Sequence, residues 1–221
     1  MKKKPSWDVE ETEGFVNILA WDGLYYKIWN EGTNLQECAN VLAKIRFDIN
    51  TLLVYIMRNQ QLWKDIPNWK ILHTFDVHIP CWKHLYNYLI TTNDSYEKIN
   101  QNIINSCIHF NCLFIYQEMT PNNIGLIGIN KPREPFEYKF INGENVEIAK
   151  HRIIMLTLRD KNWKLKDYKT TLKLAIHELT HSTCNDTRWK EDNHKHPYYL
   201  YHGKMTKWAE DCGILKVFYL F

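Results

Sequence analysis

Residues 177–181 read His-Glu-Leu-Thr-His and carry the residue types of a metal-dependent hydrolase. On a helix, positions i and i+4 lie on the same face, so His177 and His181 can offer two imidazole nitrogens to one metal ion. Glu178 lies beside the first of them, where its carboxylate can reach a metal-activated water. This is the HExxH arrangement of zinc peptidases, in which the Glu is the general base. The spacing therefore predicts a zinc site with Glu178 as its catalytic residue.

The residues around this pentapeptide predict the helix that the arrangement requires. Apolar residues recur at the i, i+3, i+4 and i+7 spacing of one buried stripe, at Leu172, Ala175, Ile176 and Leu179. Asp167 is a suitable N-cap residue. We therefore expect a helix over about 169–182, with an apolar back and a front formed by the two His and the Glu.

A third metal ligand is expected downstream of the pentapeptide. A catalytic zinc site uses three protein ligands and keeps one position open, whereas a structural site uses four, often Cys. His194 is the favoured candidate because it stands just before a second predicted helix, which has Pro197 near its first turn. His196 is the next choice, and His202 is the third.

The remaining helices are predicted from apolar periodicity and from capping signals. Thr33-x-x-Gln36 resembles a capping box and precedes about 25 residues with one apolar face, at Cys38, Leu42, Ile45, Ile49, Leu52, Leu53 and Ile56. A second helix is expected from Asp94 to about residue 107. A last helix is expected from about Pro197 to residue 212, where Gly213 would end it.

Strands are predicted where short apolar runs occur. Residues 112–119 and 126–129 have this character, and 152–158 is almost wholly apolar, as in a buried strand. Residues 131–145 contain two Pro and one Gly and are predicted to be a loop. Residues 1–33 show no clear periodicity.

Two motifs downstream of this strand pattern are similar to those of known zinc proteases. The apolar stretch from residue 152 ends in Arg159-Asp160 and is followed by the HExxH helix. Farther on, Asp192-x-His194-x-x-x-Tyr198 is similar to the Asp-x-His-Gly-x-x-Phe element of SprT-like proteases.

Two upstream motifs complete the resemblance. Glu118-x-x-Pro121 and Gly128-x-Asn130 are similar to a Glu-x-x-Pro…Leu-Gly-x-Asn segment. In this order the motifs resemble the WLM family of metalloproteases, relatives of SprT and Spartan, over roughly residues 35–215. Gly-x-His-Asp, which usually follows HExxH in the family, is absent, so the third ligand stays open.

The resemblance implies an α+β, zincin-like fold in which a small mixed sheet packs on the HExxH helix, with additional N-terminal helices. It implies Zn²⁺ as cofactor, bound by His177, His181 and His194, and hydrolysis of peptide bonds. The domain layout it implies is an N-terminal extension at 1–34 and a metalloprotease domain at 35–221, with a helical, Trp-rich insertion at about 62–105.

Composition bears on the number of domains, on the partners and on the cellular compartment. The chain has 221 residues, 45% of them hydrophobic, which suits one domain with decorations. The net charge of +3 does not demand nucleic acid as a partner. Six scattered Cys, with no secretory signal and no apolar run long enough for a membrane span, favour an intracellular compartment with reduced thiols. Frequent Asn, Ile and Lys favour an AT-rich genome, such as that of a large DNA virus.

The family resemblance, more than the residues themselves, indicates the substrate. The resemblance implies cleavage of proteins crosslinked to DNA, with single-stranded or damaged DNA as activator. The basic and aromatic stretch from Arg159 to Lys169 can contact phosphates and stack on a base, or it can be an ordinary solvated loop. The alternative function is a virion or interaction protein that is stabilised by zinc and does not cleave. The intact Glu178 favours the enzyme, because a structural site needs no general base.

Overall fold

The computed structural model of the chain describes residues 14–59, 114–120, 127–132, 136–141, 144–149, 152–181 and 196–215. The described strands are β1 (Phe15–Leu19), β2 (Tyr25–Trp29), β3 (Phe114–Glu118), β4 (Gly128–Pro132), β5 (Phe136–Ile141), β6 (Glu144–Ala149) and β7 (Arg152–Leu156). The described helices are α1 (Leu35–Arg58), α2 (Tyr168–His181) and α3 (His196–Asp211). The predicted helix at 94–107 and the predicted insertion at 62–105 lie outside these residues.

Five of the strands form one mixed sheet in the order β1-β2-β3-β7-β4. The two outer pairs, β1 with β2 and β4 with β7, are antiparallel, whereas β2–β3 and β3–β7 are parallel. Among the described strands, β5 and β6 pair only with each other, as an antiparallel hairpin. Helix α2 packs against β4 and β7 and also contacts α1 and α3. The expected α+β class with a small mixed sheet is confirmed.

Helix α1 supplies much of the core, as its apolar pattern predicts. All seven residues of the predicted apolar face are buried, and six of them have no exposed surface. They pack toward β1, β2 and β3 and toward the other two described helices. The predicted capping box is wrong: Asn34 is the N-cap residue and no side-chain cap bond forms. Gln36 instead donates a hydrogen bond from Nε2 to the backbone oxygen of Leu19, at 2.9 Å.

The N-terminal segment contains a hairpin that periodicity does not reveal. β1 and β2 lie within residues for which no regular element was predicted, and β2 joins this hairpin to the main sheet by pairing with β3. Asp22, in the turn between β1 and β2, links the hairpin to α1 through hydrogen bonds. Its carboxylate accepts hydrogen bonds from Tyr26 at 2.6 Å and from Nε of Arg46 at 3.1 Å. Pairing and a buried ion pair, rather than an alternating pattern, therefore define these strands.

The other strand predictions are confirmed in part. β3 and β7 lie within the ranges predicted for them, and β4 lies two residues later than expected. The predicted loop at 131–145 is wrong, because β4 continues to Pro132 and the β5–β6 hairpin follows. Pro132 is compatible with a strand here because β4 is at the edge of the described sheet, where a missing N–H need not break a ladder.

The helices that flank the predicted site begin and end close to where the sequence predicts. Asp167 caps α2, since its Oδ2 accepts a hydrogen bond of 2.9 Å from the backbone N–H of Thr170. α3 ends two residues before Gly213, whose φ of +85° is the left-handed conformation common after a helix. Within the described ranges, no helix is both long and apolar enough to cross a membrane.

Candidate active site

Helix α2 separates a buried back from a partly exposed front, as predicted. The four residues of its apolar stripe, Leu172, Ala175, Ile176 and Leu179, are buried. His177 and His181 are of intermediate exposure and lie one helical turn apart on the front. The helix therefore holds both imidazoles at a surface that solvent and a ligand can reach.

The spacing of the two imidazoles suits one zinc ion. Their ring centroids are 5.1 Å apart. Because a zinc–nitrogen bond is about 2.1 Å long and the ring centre lies about 1.1 Å behind the nitrogen, two imidazoles on one tetrahedral ion have centres about 5 Å apart. His177 and His181 thus fit the role of a two-ligand platform, and imidazole is a preferred ligand of zinc.

Glu178 is buried, unlike the two His of the same motif. Only 4% of its surface is accessible, whereas His177 and His181 are of intermediate exposure. Burial raises the pKa of its carboxyl from 4.5 to about 7. A carboxyl with a pKa near neutrality can both accept and return a proton at the pH of a cell. This is the property that the predicted general base requires.

Strand β4 lies directly against Glu178. The side-chain nitrogen of Asn130 donates a hydrogen bond to the backbone oxygen of Glu178. Gly128 faces the carboxyl group of the same residue closely. The sequence associates Gly128 and Asn130 with the site only through the family resemblance, and the structure supplies the contacts. A glycine inside a predicted strand is a signal of close approach that periodicity does not use.

The third ligand is not defined by the described residues. His194 lies outside them, and so does the side chain of His196. His202, on α3, has its ring centroid 5.5 Å from that of His177. Nevertheless, no three His, Cys, Asp or Glu side chains within the described part of the chain are grouped closely enough to hold a metal ion. His194 therefore stays the predicted ligand.

Tyr198 packs among these imidazoles. Its ring stacks on that of His181, with centroids 4.5 Å apart, and lies parallel to that of His202 at 5.8 Å. Its hydroxyl donates a hydrogen bond of 3.2 Å to the backbone oxygen of His177. Tyr198 is only 2% exposed, so it acts here as a packing residue that joins α3 to the face of α2 that carries His177 and His181. Tyr199 is 64% exposed, and its ring contacts that of Tyr198 edge-on, with centroids 5.8 Å apart.

A buried ion pair organises the sheet end next to the helix. Nε and Nη2 of Arg159 donate to the two carboxylate oxygens of Glu118, at 2.7 and 2.8 Å. Arg159 also donates to the backbone oxygens of Trp29, at 2.8 Å, and of Glu31. Both charged side chains are fully buried. Two motifs that are 41 residues apart in the chain are thus one structural unit that joins the ends of β2, β3 and β7.

The burial of Arg159 in this ion pair bears on whether the basic stretch after β7 can contact phosphate groups. Arg159 is 1% exposed, so it is unavailable to phosphate, and its guanidinium covers the ring of Trp163 at 4.8 Å from the centroid. Asp160 closes the following turn by accepting hydrogen bonds from the N–H groups of Asn162 and Lys164, at 2.8 and 3.0 Å. The segment is therefore an ordered turn, in which Lys161 and Lys164 are exposed.

Comparison of the chain with protein-family models, with curated proteins and with solved structures gives no match.

Proposed function

We propose that this chain is a zinc-dependent endopeptidase in which Glu178 is the general base, as in the WLM-like metalloproteases that its motifs resemble. One observation carries the proposal: two partly exposed imidazoles with centroids 5.1 Å apart share helix α2 with the carboxyl of Glu178, a residue that is only 4% exposed and packs against β4. Two surface His and a solvated Glu would leave the carboxyl exposed and its pKa low. The burial of Glu178 between α2 and β4 supports the catalytic interpretation.

Each residue of the site would have a separate role in the reaction. His177 and His181 would hold zinc, with His194 as the proposed third ligand. When bound, zinc would polarise a peptide carbonyl and lower the pKa of a water molecule toward ~7. Glu178 would accept the proton of that water and then deliver it to the leaving amine.

We propose proteins crosslinked to DNA, or bound to it, as the substrate class. The resemblance of the motifs supports this class, and Lys161 and Lys164 offer exposed positive charge near the end of β7. Cys38 and Cys212 are free thiols, which suits a reducing, intracellular compartment.

Metal content and proteolysis together test the proposal. The wild type and the Glu178→Gln variant are purified with zinc, and cleavage of a DNA-bound protein is measured with and without single-stranded DNA. We expect both proteins to bind about one zinc ion, and the variant to cleave at least ~100-fold more slowly because it lacks the base. The variants His177→Ala and His181→Ala should lose zinc and cleavage together.

The same experiment distinguishes the alternative function. If both proteins hold zinc and neither cleaves, the chain is a zinc-stabilised interaction protein and the protease proposal is wrong. Equal cleavage by the two proteins would also contradict it, because the activity would then not depend on Glu178.

A further inference from the structure

Strand β4 presents two residues of one face to the catalytic helix. Gly128 and Asn130 are two positions apart in the strand, so their side-chain positions lie on the same side of the sheet. They pair with Leu156 and Ile154 of β7, both of which are buried. β4 is held in register by that pairing, and it packs directly on α2. The strand is thus a rigid surface against which Glu178 lies.

At position 128 the space beside the strand is filled by the carboxyl group of Glu178. A methyl group added to Gly128 would lie 2.5 Å from Oε1 of Glu178 and 3.0 Å from both Cγ and Cδ. Ordinary carbon contacts are about 3.5–4.0 Å, so the carboxyl occupies the space that any side chain would need. The backbone of Gly128 does not have a positive φ, unlike that of four other glycines. Space, and not conformation, is therefore the reason for glycine at this position.

At position 130 the strand contacts the backbone of Glu178. The amide of Asn130 donates to the carbonyl oxygen of Glu178, and Asn130 is itself buried. One contact thus fixes the main chain of Glu178, and the other confines its side chain. A residue constrained at both ends has few rotamers available, which is what a proton-transfer group needs for a defined geometry.

We infer that Gly128 and Asn130 are positioning residues for the Glu178 carboxyl: Gly128 by leaving the space that it fills, and Asn130 by anchoring its backbone. The inference rests on the proposed function. Larger residues at position 128 would displace the carboxyl while leaving both His ligands in place, because His177 and His181 lie on the front of the helix.

Gly128→Ala is the direct test, with Gly203→Ala as the matched control. Gly203 lies on α3 with nothing within 4 Å of an added methyl group. Turnover of a peptide substrate, KM and zinc content are measured for both variants. We expect kcat of Gly128→Ala to fall about 100-fold, as for a reacting group misplaced by about 1 Å, with KM and zinc content unchanged. Gly203→Ala should match the wild type. Asn130→Asp, an isosteric change that replaces the donor with an acceptor, should lower kcat about tenfold.

Thermal unfolding of the zinc-free proteins gives a readout that does not depend on activity. Gly128→Ala should lower Tm when Glu178 is present and should have little effect in a Glu178→Ala background, where the methyl group has room. If Gly128→Ala alone does not fold, the double variant should fold and bind zinc; a double variant that fails as well would overturn the inference.

The outcomes separate the two proposals. A wild type that cleaves and a Gly128→Ala variant with wild-type kcat overturn the positioning inference alone. Equal losses of kcat and zinc also overturn it, because the defect would then be in metal binding. A wild type that binds zinc without cleaving overturns the proposed function, and the catalytic part of the inference with it.

Discussion

Replacing Glu178 by Gln is expected to change how the stability of the zinc-free protein depends on pH. Burial raises the pKa of this carboxyl to about 7, so the folded protein keeps a proton that the unfolded chain releases near pH 4.5. The contribution of Glu178 to the free energy of unfolding therefore falls as pH rises from about 4.5 to 7 and is constant above that range. A difference of about 2.5 pH units corresponds to about 3 kcal/mol. That is a large part of the ~5–15 kcal/mol that stabilises a typical domain.

Urea unfolding in the presence of a zinc chelator measures this contribution. Gln is uncharged at every pH, so the variant lacks the titration of Glu178 and keeps that of all other carboxyls. The free energy of unfolding of the wild type minus that of Glu178→Gln should fall by about 3 kcal/mol between pH 4.5 and pH 7.5. The variant should consequently be the more stable protein at neutral pH.

His177 and His181 share helix α2 with Glu178, so the comparison needs a control. The same pair is measured in a background in which His177 and His181 are both replaced by Ala, which leaves the carboxyl as the group that differs. If the difference between wild type and Glu178→Gln changes by less than about 1 kcal/mol in both backgrounds, Glu178 does not enter the folded state protonated, and the reasoning from burial is refuted.

Three further predictions concern the frame around the site. Arg159→Met should destabilise the protein by about 3–5 kcal/mol in urea unfolding, because it leaves the Glu118 carboxylate buried without its partner, and a second change, Glu118→Leu, should recover most of the loss. Asp167→Ala should cost about 1 kcal/mol by leaving the N–H of Thr170 uncapped, whereas Asp167→Asn should retain nearly full stability; equal losses would contradict the cap. Burial raises the pKa of the Cys38 thiol to about 12, so this residue should resist a thiol reagent at pH 8 until the protein unfolds, as mass spectrometry of the labelled protein would show.

Regular elements were predictable wherever burial repeats along one helix or one strand. The seven apolar positions of α1 define its buried face, and the apolar run in β7 identifies a strand in which Ile154 and Leu156 are buried and Ile153 and Met155 are half-buried. The β1–β2 hairpin was not predictable in this way. β1 is an edge strand whose residues alternate irregularly between exposed and half-buried, so no face is marked by apolar residues. Its place depends on β2 pairing with β3, a contact between distant parts of the chain.

The candidate site, like the fold, was predictable only in part from local sequence. Local sequence predicted that His177 and His181 share a helix face, because a helical turn alone brings them together. Local sequence could not show that Glu178 is buried. That depends on β4, which is distant from α2 in the chain and packs against it in the folded protein. The ion pair of Glu118 with Arg159 is likewise a tertiary contact, although both residues were visible as parts of motifs.

The sequence by itself determined the chemistry that is available to this protein: two imidazoles and a carboxyl at helical spacing, on a helix with an apolar back and an Asp cap. The tertiary structure decided the environment of each group. It left both imidazoles partly exposed, and it enclosed the carboxyl between α2 and a glycine of β4. The physical reason is that spacing within a helix is set by local backbone geometry, whereas burial, and with it the pKa of Glu178, is set by the elements that pack against that helix.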